Sequence, residues 1–201
     1  MKTEVHATRQ LLVDATVKLL DEVTFEEINA VMVLEATGVS KSSLYHFFED
    51  FSDLLEQALL VRFQHTVNNS AGIIKDIIRS AGTQDQFFNA LDEVTRMTED
   101  RANSAVRFER ARILARSEKN ERFRKALGEV QQQLTDSLTE AFEMAQSKGY
   151  LNTSFEPRTG AVFIQSYTLG RAVDDITTSH MNDEDWNQLI SRIMRQVLGN
   201  F

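Results

Sequence analysis

The sequence predicts an all-α fold, and three observations carry that expectation. One proline and eight glycines among 201 residues are too few breakers for the many turns of a β fold. Apolar residues recur at a period of about 3.6 through nearly every segment. Residue types that start and stop helices also stand at the segment ends, among them Asn29, Ser40, Gly38 and Gly149.

About nine helices follow in order. The first spans Thr3 to Glu22, with Leu12, Ala15 and Leu19 on one face, and "TFEEIN" turns the chain on Phe25 and Ile28. Asn29 caps a short second helix, "AVMVLEAT", which Gly38 closes; Ser40 caps a third, "KSSLYHFF". A long fourth helix, capped by Asp50 or Ser52, carries Leu54, Leu55, Ala58, Leu59 and Val61 and runs to about Gly82 with a bend near Gly72. Helices then cover about Gln84–Glu99, Ser104–Ser117 (with Phe108, Ala111 and Leu114 inward) and Glu121–Lys148. Pro157 opens a segment to about Thr178, since proline suits a first helical turn. The last helix has Asp183, Glu184 and Asp185 first and Arg192 and Arg195 late, as the helix dipole favours.

Composition narrows the function classes. Hydrophobic residues make up 42% and charged ones 26%, a globular balance, and the net charge is −8. That acidity disfavours nonspecific attachment to nucleic acid or anionic membranes. The start "MKTEVHATRQLL" has no apolar signal core, and no run approaches the roughly 18 apolar residues of a membrane helix, so no membrane role is expected. With no cysteine there is no disulfide or thiolate metal site, which fits a cytoplasmic protein. The four histidines are scattered, and no nucleophile elbow, phosphate loop or dinucleotide glycine pattern occurs. No catalytic residue, metal ligand or cofactor is therefore expected. The adjacent carboxylates Asp174 and Asp175 read as capping or solvated groups, because neighbouring helical positions diverge by about 100°.

The stretch "GVSKSSLYHFFED" (38–50) is the most informative. Leu44 and Phe48, four apart, face a core and so turn Lys41, Ser42, Ser43 and His46 outward. Short serines allow close approach, a lysine reaches a phosphate or a guanine edge, and the Tyr45 hydroxyl suits a phosphate. Phe47, if exposed, can touch a thymine methyl. Together with the helix order, this motif resembles the tetracycline-repressor (TetR) family of transcription regulators, most closely over about Gln10–Leu60.

That resemblance implies a helix-turn-helix domain over residues 1–50 and a ligand-sensing, dimerising domain over 51–201. It also implies a homodimer on a pseudo-palindromic double-stranded DNA operator and a small-molecule effector. The implied DNA-facing residues are Asn29, Ser40, Lys41, Ser42, Ser43, Tyr45, His46 and Phe47. The chain departs from the family pattern where Phe51 replaces a phosphate-contacting lysine, where Val31 and Met32 replace basic residues, and where Leu34 replaces a small one. Up to Asp50, Lys2, Arg9, Lys18 and Lys41 face nine acidic residues. Phosphate neutralisation supplies most nonspecific affinity, so binding is weak or confined to low salt unless the acids sit on the far face of the domain. The favoured expectation is that they do, leaving Lys41, His46, Arg9 and the helix N-termini toward the DNA. A chain that keeps the fold and works through protein contacts, as an antirepressor or sensor, is the alternative.

The resemblance, not the spacing, implies an effector cavity, with Phe87, Leu91, Phe108, Leu134, Leu138, Phe163 and Tyr167 as its lining and an apolar or amphipathic ligand. Apolar stripes of this spacing are more often simple core. Gln165, Arg107 and Arg171 are polar candidates, although an inter-helix ion pair is the more ordinary role for either arginine. The expected dimer interface is Val162, Ser166, Leu169, Gly170 and Val173 from one helix with Trp186, Leu189, Ile190, Ile193 and Val197 from the last. An intramolecular core face would produce the same pattern.

Overall fold

The computed structural model describes residues 2–200, with side chains from Ala7 onward. Lys2, Glu4 and His6, which enter the charge and histidine readings, lie outside the described side chains. The helices are α1 (Lys2–Glu22), α2 (Ala30–Thr37), α3 (Lys41–Phe47), α4 (Phe51–Ser80), α5 (Gln84–Glu99), α6 (Ser104–Arg116), α7 (Glu121–Ser147) and α8 (Pro157–Gly170). A single turn, α9 (Ala172–Asp175), and α10 (Asp183–Ile193) complete the series. The all-α expectation holds among the described residues, where the one β-type contact is an isolated bridge between Leu151 and Gly199.

The start and stop signals act as their chemistry requires. Asn29 Oδ1 accepts from the amides of Val31 and Met32, at 3.1 and 3.3 Å, and Gly38 closes α2 at φ +67°. Ser40 Oγ accepts from the Ser43 amide at 3.1 Å. Asp50, not Ser52, caps α4. Its Oδ1 accepts from the Asp53 amide at 2.8 Å, and Asp53 Oδ2 returns a bond from the Glu49 amide at 3.1 Å. α4 runs unbroken through Gly72 to Ser80.

The chain divides into two compact units, Met1–Thr66 and Val67–Phe201. The division falls within α4, later than the expected boundary at residue 50. The physical reason is that Leu54 on the first half of α4 belongs to the same core as Leu12, Val13, Val33, Leu44 and Phe48. In α1 the inward face is Leu12, Val13 and Thr16, whereas the expected Ala15 and Leu19 are only half-buried. Thr16 is tolerated there because its hydroxyl donates to the Leu12 carbonyl at 2.8 Å.

In the second unit α7 and α8 pack along each other. Phe123, Leu127, Leu134, Leu138, Ala141 and Ala145 face inward on α7, while Val130 is half-buried. Gly160 makes the α7–α8 approach possible, since a Cβ there would lie 2.6 Å from the Phe142 ring. In α6 the buried residues are Arg107 and Ile113; Phe108 and Ala111 are half-buried and Leu114 is exposed, so the expected stripe is turned. The regular part of α8 stops at Gly170 rather than near Thr178. Beyond it the chain tightens, with the Asp174 amide donating to the Arg171 carbonyl at 3.0 Å.

Candidate functional site

In the first unit α3 stands with Leu44 and Phe48 buried and Lys41, Ser42, Tyr45 and His46 exposed, the division expected from their spacing. Ser43 is half-buried and shares a 2.9 Å hydroxyl contact with Ser40. Ser40 and Asn29 are exposed but serve as caps, and Asn29 Nδ2 also donates to the Glu27 carbonyl at 3.2 Å. Phe47 is half-buried and packs against the core, so it is less open than an exposed thymine contact requires. Its ring meets His46 edge-on at 5.1 Å.

The cations of this unit are partly committed. Arg9 donates to Gln57 Oε1 at 3.2 Å and lies 5.1 Å from the Phe48 ring centre. Arg62 is paired with Asp21. Lys41 is thus the cation on the α3 surface, at the start of that helix.

In the second unit the expected dimer residues separate into two sets. Val162, Ser166, Gly170, Val173, Leu189 and Val197 are exposed, with Val173 72% and Val197 60% accessible. Phe163 and Ile176 are exposed with them. Ile190, by contrast, is buried inside the unit, and Leu169, Trp186 and Ile193 are half-buried. The single stripe read on the last helix is therefore two. Residues 186, 190 and 194 turn inward at four-residue spacing, while 189 and 197 turn outward. Met194 and Leu198, absent from the expected set, are buried on a π-helical turn over Met194–Leu198.

Most of the expected effector lining is packed core. Phe87, Leu91, Leu134 and Leu138 are buried, and Phe87 stacks on Tyr150 at 5.3 Å. Phe108 is half-buried, and Phe163 lies toward the outer face at 37% accessibility. Gln165 is occupied between α7 and α8, accepting from Gln131 Nε2 at 2.5 Å and donating to the Ala161 carbonyl at 3.0 Å. A groove of about 520 Å³ lies instead between α5 and α10, bordered by Asp92, Arg96, Asn187, Ser191 and Arg195 among others.

Near that groove in sequence, but buried, is a charged cluster that the sequence did not single out as one. Arg107 holds Asp175 through two bonds, Nε to Oδ2 at 2.6 Å and Nη2 to Oδ1 at 2.8 Å, both side chains being nearly inaccessible. Arg107 Nη1 donates to the carbonyls of Thr98 and Asp100, at 3.2 and 3.1 Å. The bonded guanidinium holds the Asp175 carboxyl below the usual carboxylate range. Asp175 is therefore a buried partner, contrary to the solvated or capping role expected, and its neighbour Asp174 accepts from the Met181 amide at 3.1 Å. Arg171, also buried, is paired with Asp183 and lies 5.7 Å from the Trp186 ring centre. Both arginines thus take the ion-pair role, but inside the unit.

Glu99, at the end of α5, is 2% accessible, and neither carboxyl oxygen has a hydrogen-bond partner among the described residues. Burial pushes its pKa up to about 7 against the opposing charges of Arg107 and Arg171. Trp186 and Thr168 favour the ionised form without reaching hydrogen-bond geometry. Burial likewise pushes the Tyr167 hydroxyl up to about 12, beside Thr95. Among the described residues no group of three metal-ligating side chains comes together, and no helix is long and apolar enough to cross a membrane.

No protein-family model matches the sequence, and no curated protein matches it. Solved structures match by shape. A Mesorhizobium loti protein assigned to the TetR family of transcriptional regulators superposes with a TM-score of 0.71 at 11% identity, covering 97% of this chain and 98% of its own. Salmonella enterica GusR gives 0.61 at 20% identity, covering 96% and 95%. Bacillus subtilis FadR, a transcriptional regulator solved with stearoyl-CoA, gives 0.59 at 12% identity, covering 92% and 96%. The chain has the all-α fold of TetR-family transcriptional regulators.

Proposed function

We propose that the protein is a homodimeric, ligand-responsive transcriptional regulator, and specifically a repressor released by a small-molecule effector. The observation that carries this reading is the α3 surface: Lys41, Ser42, Tyr45 and His46 lie exposed opposite buried Leu44 and Phe48. That is the layout of a recognition helix that enters a major groove. The exposed apolar residues Val162, Val173, Ile176, Leu189 and Val197 support a dimer, because they fall on the two C-terminal segments that the resemblance assigns to a partner copy. The effector is assigned to the second unit, and the FadR neighbour solved with stearoyl-CoA supports a small-molecule ligand for a protein of this fold. α4, shared by both units, would carry the change, altering the spacing of two recognition helices from the roughly 34–36 Å groove repeat.

A second reading, a protein-interaction module without strong DNA binding, is favoured by the commitment of Arg9 to Gln57 and of Arg62 to Asp21. Anisotropy titrations on DNA flanking the protein's own gene, at two salt concentrations, separate the two. Tight binding with a clear salt slope supports the repressor. No binding at about 50 mM salt overturns it in favour of the interaction module.

A further inference from the structure

We infer that Glu99, Arg171 and Trp186, at the meeting of α5, α8 and α10, form a buried ligand site for a small neutral molecule with a carboxamide-type headgroup. The site stands on its own geometry; its role as the effector site rests on the regulator reading above.

The inference begins with unmade bonds. Glu99 Oε1 and Oε2, Arg171 Nε and Nη1, and Trp186 Nε1 are all buried without hydrogen-bond partners among the described residues. Glu99 and Arg171 are 2% and 1% accessible. Buried polar atoms left unpaired are uncommon and each is costly, so several in one place point to an occupant. They are also one cluster. Trp186 and Arg171 both act on the Glu99 carboxyl, and the Arg171 guanidinium lies 5.7 Å from the Trp186 ring centre.

The headgroup follows from charge and from the donor–acceptor inventory. Arg107, Arg110 and Arg171 all interact electrostatically with Glu99, and Asp175 and Asp183 pair with two of them, so the surroundings hold both signs and single out no net ligand charge. A neutral group offering an N–H beside an oxygen suits both sets. Its N–H donates to Glu99, and its oxygen accepts from Arg171 and Trp186. This differs from the apolar effector expected from sequence, whose lining residues Phe87, Leu91, Leu134 and Leu138 are filled core.

Trp186 is the protein's only tryptophan, so its fluorescence reports on the site directly. The full chain is titrated with propionamide, propylammonium and propionate, which share a short alkyl tail and differ in headgroup charge. A saturable fluorescence change with propionamide at millimolar concentration is expected. The two charged probes should bind about tenfold more weakly or not at all, and Glu99→Leu should abolish the response. Glu99→Leu removes an unpaired polar group and is expected to fold; Glu99→Gln, which keeps the side-chain shape, is the second variant and should retain a weakened response. No saturation with propionamide, an equal response in Glu99→Leu, or tighter binding of a charged probe overturns the inference. Repeating the operator titration with propionamide present separates the two claims. Loss of DNA binding without the probe removes the regulator reading, whereas an unresponsive Trp186 in a DNA-binding protein removes only this site.

Discussion

The helix ends around α2 and α3 in the first unit and the buried arginines of the second place polar groups in opposite ways. In the first, polar side chains near α2 and α3 are held by sequence neighbours, as when Ser40 caps Ser43 or Asn29 caps Val31. In the second, Arg107 is buried and satisfied by Asp175, 68 residues away. Local bonds leave the outward face of α3 open for an external partner. Distant buried bonds make the second unit depend on mutual placement of α5, α6, α8 and α9, and leave Glu99 unpaired among them.

The strongest break of this contrast is Arg107→Met. It strands the Asp175 carboxylate in a buried site and should cost about 3–5 kcal/mol in urea unfolding, while the double variant with Asp175→Leu recovers much of that. In the first unit Leu44→Ala removes a buried anchor of α3 and should cost about 2–5 kcal/mol, with no compensating partner available.

Glu99 gives a pH test of the second unit. Its folded-state pKa of about 7 lies above the ordinary value of 4.5, so the folded chain holds this proton more tightly than the unfolded one. The contribution is complete below about pH 4.5 and is lost as pH rises through 7. Glu99→Gln should therefore change stability little at acid pH. At pH 8 it should stabilise on the order of 2–3 kcal/mol, measured by unfolding at both pH values. The smallest effect is expected from Ser40→Ala, about 1 kcal/mol, because only a helix cap is lost.

What was legible in the sequence follows the same division. Caps at Asn29, Ser40 and Gly38, the inward pair Leu44 and Phe48, and the helix order all depend on residues a few positions apart, and all appear in the structure. The last helix was harder. Trp186, Ile190, Leu189 and Val197 share apolar character, but only the packing of α10 on α5 and the π-helical turn decide which face is inward. The Asp174–Asp175 pair misled for a related reason: nothing local marks Asp175 as the partner of an arginine on α6. The unpaired state of Glu99 has no sequence signal, since it depends on how Thr168 of α8 and Trp186 of α10 approach it in space.

The most direct test of the central claim, that α3 is a DNA-reading surface with few cations, is the salt dependence of operator affinity for the wild type and Lys41→Ala. If Lys41 acts with Arg9 and one further cation, two or three phosphate contacts per subunit give a slope of log K against log salt of about −4 to −5 for the dimer. Lys41→Ala should make that slope shallower by about two, one phosphate contact from each copy. A wild-type protein that fails to bind, or a slope that Lys41→Ala leaves unchanged, would contradict the account.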